Sequence, residues 1–130
     1  MSLIVWSDEY CVGIQNIDEQ HQKLIQMINN LNDAIQDKKN RDTLDSIITE
    51  IYFYYAYHFG YEEAMMDGND YNQFENHKGI HQQFVHTLDR LKDEFEHGAK
   101  DISVEILAYL QKWITSHIRE VDREYCAVVT

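Results

Sequence analysis

Four segments of the chain carry apolar residues at alternating steps of three and four positions, the spacing that places one face of an α-helix against a core. In the first segment, which runs from Asp18 to Asp37, this inward stripe consists of His21, Leu24, Ile28, Leu31 and Ile35. Asp18 is predicted to cap the helix, and the polar run 36–40 is predicted to connect it to the next one.

The three later segments repeat the pattern. Between Arg41 and Met66 the stripe is Leu44, Ile47, Ile51, Tyr54, His58, Glu62 and Met65, and Gly68 with Asn69 supplies a stop signal. Between Tyr71 and His97 it is Phe74, His77, His81, Phe84, Leu88, Leu91 and Phe95, followed by Gly98. From about Asp101 or Ser103 to Arg119 it is Ile106, Leu110, Trp113 and His117. All four predicted helices therefore place a histidine on the inward face.

Short connections between the predicted helices favour antiparallel neighbours. The sequence thus predicts an all-α protein, an up-down-up-down antiparallel four-helix bundle that forms a single domain over 1–130. The predicted parts are an N-terminal arm over 1–17, helices over about 18–38, 41–67, 70–97 and 101–120, and a short C-terminal tail. Composition agrees, because the 130 residues include no proline and only five glycines.

The chain is strongly acidic, with 23 Asp and Glu against 11 Lys and Arg and a formal net charge of −12. This charge repels nucleic-acid phosphates and anionic membranes, so neither is expected as a partner. No segment reaches the roughly 18 apolar residues of a membrane span, and 1–10 lacks the features of a signal peptide. We expect a soluble, cytoplasmic monomer in which Cys11 and Cys126 are free thiols with no assigned role.

Seven side chains able to bind metals recur along the chain, and most of them lie on the inward stripes. They are His21, His58, Glu62, His77, His81, His117 and Asp122. Residues four positions apart lie one turn apart on a helix face, so His58/Glu62 and His77/His81 can each aim two donor atoms at one point. Burying five imidazoles and two carboxylates without a metal would cost on the order of 1–3 kcal/mol per unpaired group. A metal site is therefore favoured, and His86 and His97 are expected to lie outside it.

Asp122 does not fit a regular helix, because it follows His117 by five positions. Five residues place it about 140° away around an α-helix. We predict a π-type turn or an irregular helix end near 118–121, which would let both side chains reach one site.

Seven ligands are too many for one ion of ordinary coordination number but suit two. A carboxylate can bridge two ions, whereas a neutral imidazole gives one nitrogen to one ion. Glu62 and Asp122 are therefore the predicted bridges. Five imidazoles divide as three and two, which leaves the second ion an open position for a ligand. Iron, copper, zinc and nickel all fit such a donor set.

The motifs His21, HFGYE (58–62), HKGIH (77–81) and HIREVD (117–122) resemble those of the hemerythrin family, specifically its bacterial single-domain members, over essentially the whole chain. The resemblance implies a non-haem di-iron centre with an oxo or hydroxo bridge that binds O2 reversibly. It implies that His77, His81 and His117 hold the filled iron, and that His21 and His58 hold the iron with the open position. It also implies an apolar oxygen pocket formed by Leu24, Phe59, Trp113, Ile114 and Ile118, although each of these side chains could equally be plain bundle core.

The function implied by this resemblance is not enzymatic: the protein would store oxygen or carry it to an oxygen-consuming enzyme. Two alternatives remain, an enzyme that reduces peroxide or nitric oxide with an electron donor, and an oxygen or redox sensor. Storage of iron itself is less well supported by the sequence than either alternative. The aromatic-rich stretch 52–57 is predicted to pack with its tyrosine hydroxyls reaching the rim.

Overall fold

The computed structural model describes residues 3–68, 71–98, 101–123 and 126. Its four α-helices are α1 (Gln15–Gln36), α2 (Arg41–Gly68), α3 (Phe74–His97) and α4 (Ser103–His117). A short 3₁₀ helix, Asp8–Tyr10, precedes α1, and a π-helical turn, Ile118–Asp122, directly follows α4. Helix α1 packs against α2 and α4, and α3 packs against the same two helices. The predicted all-α four-helix bundle is confirmed.

The prediction that Asp18 caps α1 is wrong. Helix α1 begins at Gln15, so Asp18 lies within its first turn and the arm ends at Ile14. The Asp18 carboxylate instead accepts a hydrogen bond of 2.8 Å from the backbone N–H of Val12, which ties the arm to the helix. Helix α3 also begins later than predicted, at Phe74, because a turn at Tyr71 precedes it. Asn69 lies outside the described residues.

The buried face of α2 differs in detail from the predicted stripe. The structure buries Ile48, Tyr55 and Met66, whereas Ile47, Tyr54 and Met65 are half-buried. At these three positions the predicted inward residue is the one just before the buried residue. Both members of each adjacent pair are apolar or aromatic, so the pattern alone cannot choose between them. Similar shifts occur in α1, where Ala34 is buried and Ile35 half-buried, and in α4, where Ile114 is buried and Trp113 half-buried. Because Tyr55 is only 1% exposed, the prediction that the tyrosine hydroxyls of 52–57 reach the rim is wrong for this residue.

The N-terminal arm folds back along the bundle and contacts both its first and last elements. Ile4 donates its backbone N–H to Asn29 Oδ1 at 2.9 Å, and Asn29 Nδ2 donates to the Ile4 carbonyl at 2.8 Å. At the other end of the arm, Arg119 Nη1 lies 2.7 Å from Glu9 Oε1. The arm is thereby fixed next to the π-helical turn.

Cys11 is exposed and Cys126 is buried, and no disulfide joins them in the part of the chain that the structure describes. Within the described ranges, none of the helices has the length and apolar character needed to cross a membrane.

Candidate metal centre

All seven predicted ligand side chains meet inside the bundle, at the end where α1 and α3 begin and where α2 and α4 end. None of them is more than 4% exposed. Their donor atoms form two groups, and within each group the atoms lie within 4.8 Å of one another. The first group is Glu62, His77, His81, His117 and Asp122, and the second is His21, His58, Glu62 and Asp122. The two groups share both carboxylates and divide the imidazoles three and two.

The helices explain why these side chains converge. His58 and Glu62 lie one turn apart on α2, and His58 Nε2 is 3.3 Å from Glu62 Oε1. His81, from the similarly spaced pair on α3, places its Nε2 atom 3.4 Å from the same oxygen. One glutamate oxygen therefore contacts imidazoles from two neighbouring helices.

Asp122 reaches the site through the π-helical turn. The turn Ile118–Asp122 widens the helix after His117, as the sequence predicted. Asp122 Oδ1 lies 3.0 Å from His117 Nε2 and 3.1 Å from His77 Nε2. Its other oxygen, Oδ2, lies 3.0 Å from His21 Nε2. The two oxygens of one carboxylate thus face imidazoles of both groups, the arrangement that a bridging ligand requires.

Imidazole nitrogens also face each other across the site. His21 Nε2 lies 3.1 Å from His58 Nε2, and His81 Nε2 lies 3.3 Å from His117 Nε2. Two neutral rings that face in this way can share only one proton, whereas a cation between them accepts a lone pair from each. The buried nitrogen and oxygen donors, with no thiolate among them, fit two iron ions and also fit other first-row divalent metals.

Both shared carboxylates are held in the ionised form. Burial and the nearby Asp122 raise the pKa of Glu62, but the imidazoles of His58 and His81 outweigh them and lower it to about 2. Burial likewise opposes ionisation of Asp122, yet contacts with His117, His21 and His77 hold its pKa well below the usual range. Two negative charges are therefore available to bound cations.

Two polar residues behind the imidazoles, Gln20 and Glu63, were not anticipated from the sequence. Gln20 Oε1 accepts a hydrogen bond of 2.7 Å from His58 Nδ1, and Glu63 Oε2 accepts one of 3.1 Å from His81 Nδ1. A bond at Nδ1 fixes the tautomer and aims the Nε2 lone pair into the site. In the sequence, the only feature that marks either residue is its position next to a predicted ligand. The imidazole that each one bonds lies on a different helix, which the sequence pattern does not show.

Aromatic rings cover two of the imidazoles. Phe59 stacks on His81 with ring centroids 3.9 Å apart, and Trp113 stacks on His117 with centroids 4.1 Å apart. The other predicted pocket residues, Leu24, Ile114 and Ile118, are buried in the same apolar cluster. Their role as an oxygen pocket stays a prediction.

Two surface grooves approach the centre. One, of about 440 Å³, is bordered by Trp113 and His117 on α4 and by Ile80 on α3. The other, of about 480 Å³, is bordered by Phe59 and His81. Each groove borders an imidazole together with the aromatic ring that covers it, so these rings stand between the solvent and the centre.

His86 and His97 lie outside both ligand groups, as predicted. Both are exposed, and His97 Nδ1 lies 3.0 Å from Asp93 Oδ1 on the surface of α3.

Comparison with known proteins agrees with this geometry. Residues 12–129 match the family model of the hemerythrin HHE cation binding domain. The chain is 35% identical over 129 residues to a bacteriohemerythrin of Pseudomonas aeruginosa, covering 99% of this chain and 83% of that protein. It is 31% identical to a bacteriohemerythrin of Clostridium acetobutylicum, with 95% and 98% covered. A solved structure of wild-type hemerythrin superposes with a TM-score of 0.91 at 26% identity and covers 98% of each chain.

Proposed function

This chain belongs to the hemerythrin family, and from that premise we propose that it binds O2 reversibly at a non-haem di-iron centre, for oxygen storage or delivery. The observation that carries this proposal is the pair of ligand groups that share Glu62 and Asp122. The two groups would hold two metal ions with unequal numbers of imidazoles, and the ion with fewer protein ligands would keep a position open for oxygen.

The first group would supply three imidazoles to the filled iron, from His77, His81 and His117. The second would supply two, from His21 and His58, to the iron with the open position. Both carboxylates would bridge the ions, together with a solvent-derived oxo or hydroxo group. When bound, the iron pair supplies the two electrons that O2 takes up and returns.

The protein's own residues determine whether oxygen leaves again intact. Gln20 and Glu63 hold the imidazoles of His58 and His81 in orientation before any ligand binds. Phe59 and Trp113 cover the centre on the sides that face the two grooves. Excluding water and protons at these points would slow irreversible oxidation of the irons. We infer storage, or delivery to an oxygen-consuming enzyme in the cytoplasm, rather than catalysis.

One observation favours a second candidate, an enzyme that reduces peroxide or nitric oxide. The groove of about 440 Å³ beside His117 provides a surface where a reductant can approach a ligand of the filled iron. Turnover of either substrate with an added electron donor would support this function over carriage.

The deciding experiment is an ultraviolet and visible spectrum of the iron-loaded, anaerobically reduced protein before and after air is admitted, with iron counted per chain. We expect two irons per chain and a charge-transfer band that appears in air and fades under argon through repeated cycles. A single metal ion, or irreversible conversion to an oxidised centre on first exposure, would contradict reversible oxygen binding.

A further inference from the structure

Glu63 lies beside the centre without belonging to either ligand group. It follows Glu62 on α2, and its Oε2 atom accepts the hydrogen bond of 3.1 Å from His81 Nδ1. The Glu63 side chain is 23% exposed and borders the groove of about 480 Å³, whereas the His81 side chain is 1% exposed. A carboxylate at the surface therefore contacts the outer nitrogen of a buried imidazole, while the inner nitrogen of that ring faces Glu62.

The negative charge of Glu63 acts on His81 rather than on a surface cation. Among the residues that the structure describes, no lysine or arginine lies within ion-pair distance of Glu63, and the His81 ring is its one such contact. The hydrogen bond to His81 is therefore charge-assisted, and bonds of this kind are stronger than those between two neutral groups.

The imidazoles of the second ligand group are held differently. His58 Nδ1 donates to the neutral amide oxygen of Gln20 at 2.7 Å, and Gln20 is 7% exposed. His21 Nδ1 is enclosed and has no hydrogen-bond partner within the described ranges. No carboxylate therefore accepts a hydrogen bond from Nδ1 of either ring in this part of the chain. The two groups share Glu62 and Asp122 but differ in the charge placed behind their imidazoles.

A carboxylate at Nδ1 changes what an imidazole gives to a metal ion. It draws the Nδ1 proton towards itself, which makes the ring more basic at Nε2. A more basic ligand stabilises the ion of higher charge, so the ferric state gains more than the ferrous state. An amide oxygen at the same position orients the ring but brings no net charge.

We propose that Glu63 sets the redox balance of the centre: its carboxylate, acting through the His81 ring, stabilises the oxidised state of the ion held by the first group. This inference rests on the proposed function, because it assumes a bound iron pair. A ferric ion takes up one electron on reduction, and the charge of Glu63 opposes that uptake. The same charge makes the reduced ion a stronger electron donor. Glu63 is thus a positioning residue whose charge acts in addition to its hydrogen bond.

The test is Glu63→Gln, which keeps an acceptor for His81 Nδ1 and removes the charge. The iron-loaded protein is titrated under argon in an electrode cell, and the visible spectrum gives the ferric fraction at each potential. We expect the ferric-to-ferrous equilibrium to shift about tenfold, the difference between a hydrogen bond to a charged group and one to a neutral group. For a one-electron step this raises the midpoint potential by about 59 mV. Iron per chain should stay at the wild-type value.

Asp89→Asn is the matched control. Asp89 is exposed and borders the same groove, so this variant removes the same charge without touching the His81 bond, and its midpoint should equal that of the wild type. Gln20→Glu is the converse variant. It places a carboxylate behind His58 and should lower the midpoint.

A wild-type midpoint in Glu63→Gln with both irons bound would overturn the proposal, as would an equal rise in Asp89→Asn. Loss of iron or of folding in Glu63→Gln would also overturn it, because Glu63 would then only anchor a ligand. A rise of the midpoint in Gln20→Glu would contradict charge as the cause. Should the wild type fail to release oxygen reversibly, the proposed function fails, while the electrode titration, which needs no oxygen, still decides the role of Glu63.

Discussion

The imidazoles of the centre differ in the contacts that orient them on the side away from the carboxylates. His58 and His81 bond through Nδ1 to Gln20 and Glu63, which leaves both Nε2 atoms to face the carboxylate of Glu62. His117 is held by the stacked ring of Trp113 instead. Because each ring is positioned by different neighbours, single substitutions should separate ligand loss from changes in the surrounding wall.

Replacing one ligand should empty at least part of the centre. His77→Ala is expected to lose one or both irons per chain, because a buried site cannot recruit a replacement donor easily. Iron analysis and the visible spectrum provide the measurement. His86→Ala, at an exposed position on the same helix, should keep both irons. Two irons and a wild-type spectrum in His77→Ala would show that the ligand assignment is wrong.

Trp113→Ala should affect oxygen retention rather than metal content. Iron per chain is expected to stay close to that of the wild type, since the indole is not a ligand. The oxygenated form should decay several-fold faster once the cover over His117 is gone, as followed by the loss of its visible band. Trp6→Ala, which removes the other tryptophan from the arm, serves as the control. If both properties keep their wild-type values, Trp113 is only core.

Single residues also show where sequence reasoning ends. The convergence of the candidate ligands could be predicted because histidines and carboxylates repeat at one-turn spacing on inward stripes. The roles of Gln20 and Glu63 could not be predicted, because each depends on the imidazole that faces it from another helix. On α2 the pattern predicts Tyr54 on the inward face, whereas the structure buries its neighbour Tyr55. The pattern cannot choose between them because both are aromatic.

Among the secondary-structure elements, the π-helical turn has the most direct effect on the site. A regular helix would place an inward carboxylate four positions after His117, at the position of Val121, rather than five. The sequence allowed this turn to be predicted because the spacing conflicts with α-helical geometry. The start of α1 could not be predicted in this way. Asp18 is a residue type that often caps helices, but here its carboxylate bonds to the backbone of the arm.

Exchanging two neighbours tests the turn while conserving composition. The double variant Val121→Asp with Asp122→Val moves the carboxylate to the position that a regular helix would favour. We expect it to lose iron while circular dichroism shows unchanged helicity, because the widened turn aims position 122 and not 121 at the centre. Glu120→Ala, at an exposed position in the same turn, should bind iron normally. Full iron content in the double variant would mean that the turn does not position Asp122.

At the scale of the whole molecule, the polar centre is enclosed by the apolar core. The buried imidazoles and carboxylates gather where α1 and α3 begin, and buried apolar side chains lie on both sides of them, Leu24 and Ile114 towards the middle of the bundle and Ile17 and Met66 towards its end. This topology could be predicted from four stripes and short connections alone. That the whole chain forms one domain stays a prediction.

A polar cluster enclosed in this way is expected to make bound iron part of the fold's stability. Removing iron with a chelator leaves two ionised carboxylates and five imidazoles packed together, so the apo form should unfold more easily. At free iron about 100-fold above the dissociation constant, each bound ion adds roughly 3 kcal/mol to the free energy of unfolding. Urea denaturation with and without chelator measures this difference. The same treatment should shift His77→Ala much less, and equal midpoints for wild-type holo and apo protein would contradict the expectation.

The stacking of Trp113 on His117 also has an optical consequence. The chain has only two tryptophans, and the other, Trp6, lies in the arm. The indole lies 4.1 Å from the imidazole of His117, so with iron bound there the excited indole should lose its energy to the metal before it can fluoresce. In a Trp6→Phe protein, the fluorescence of Trp113 is therefore expected to be weak with iron bound and to increase as iron is removed. Equal fluorescence from the two forms would contradict this. The same ring that covers the centre would then report, without any added label, how much of the protein is loaded.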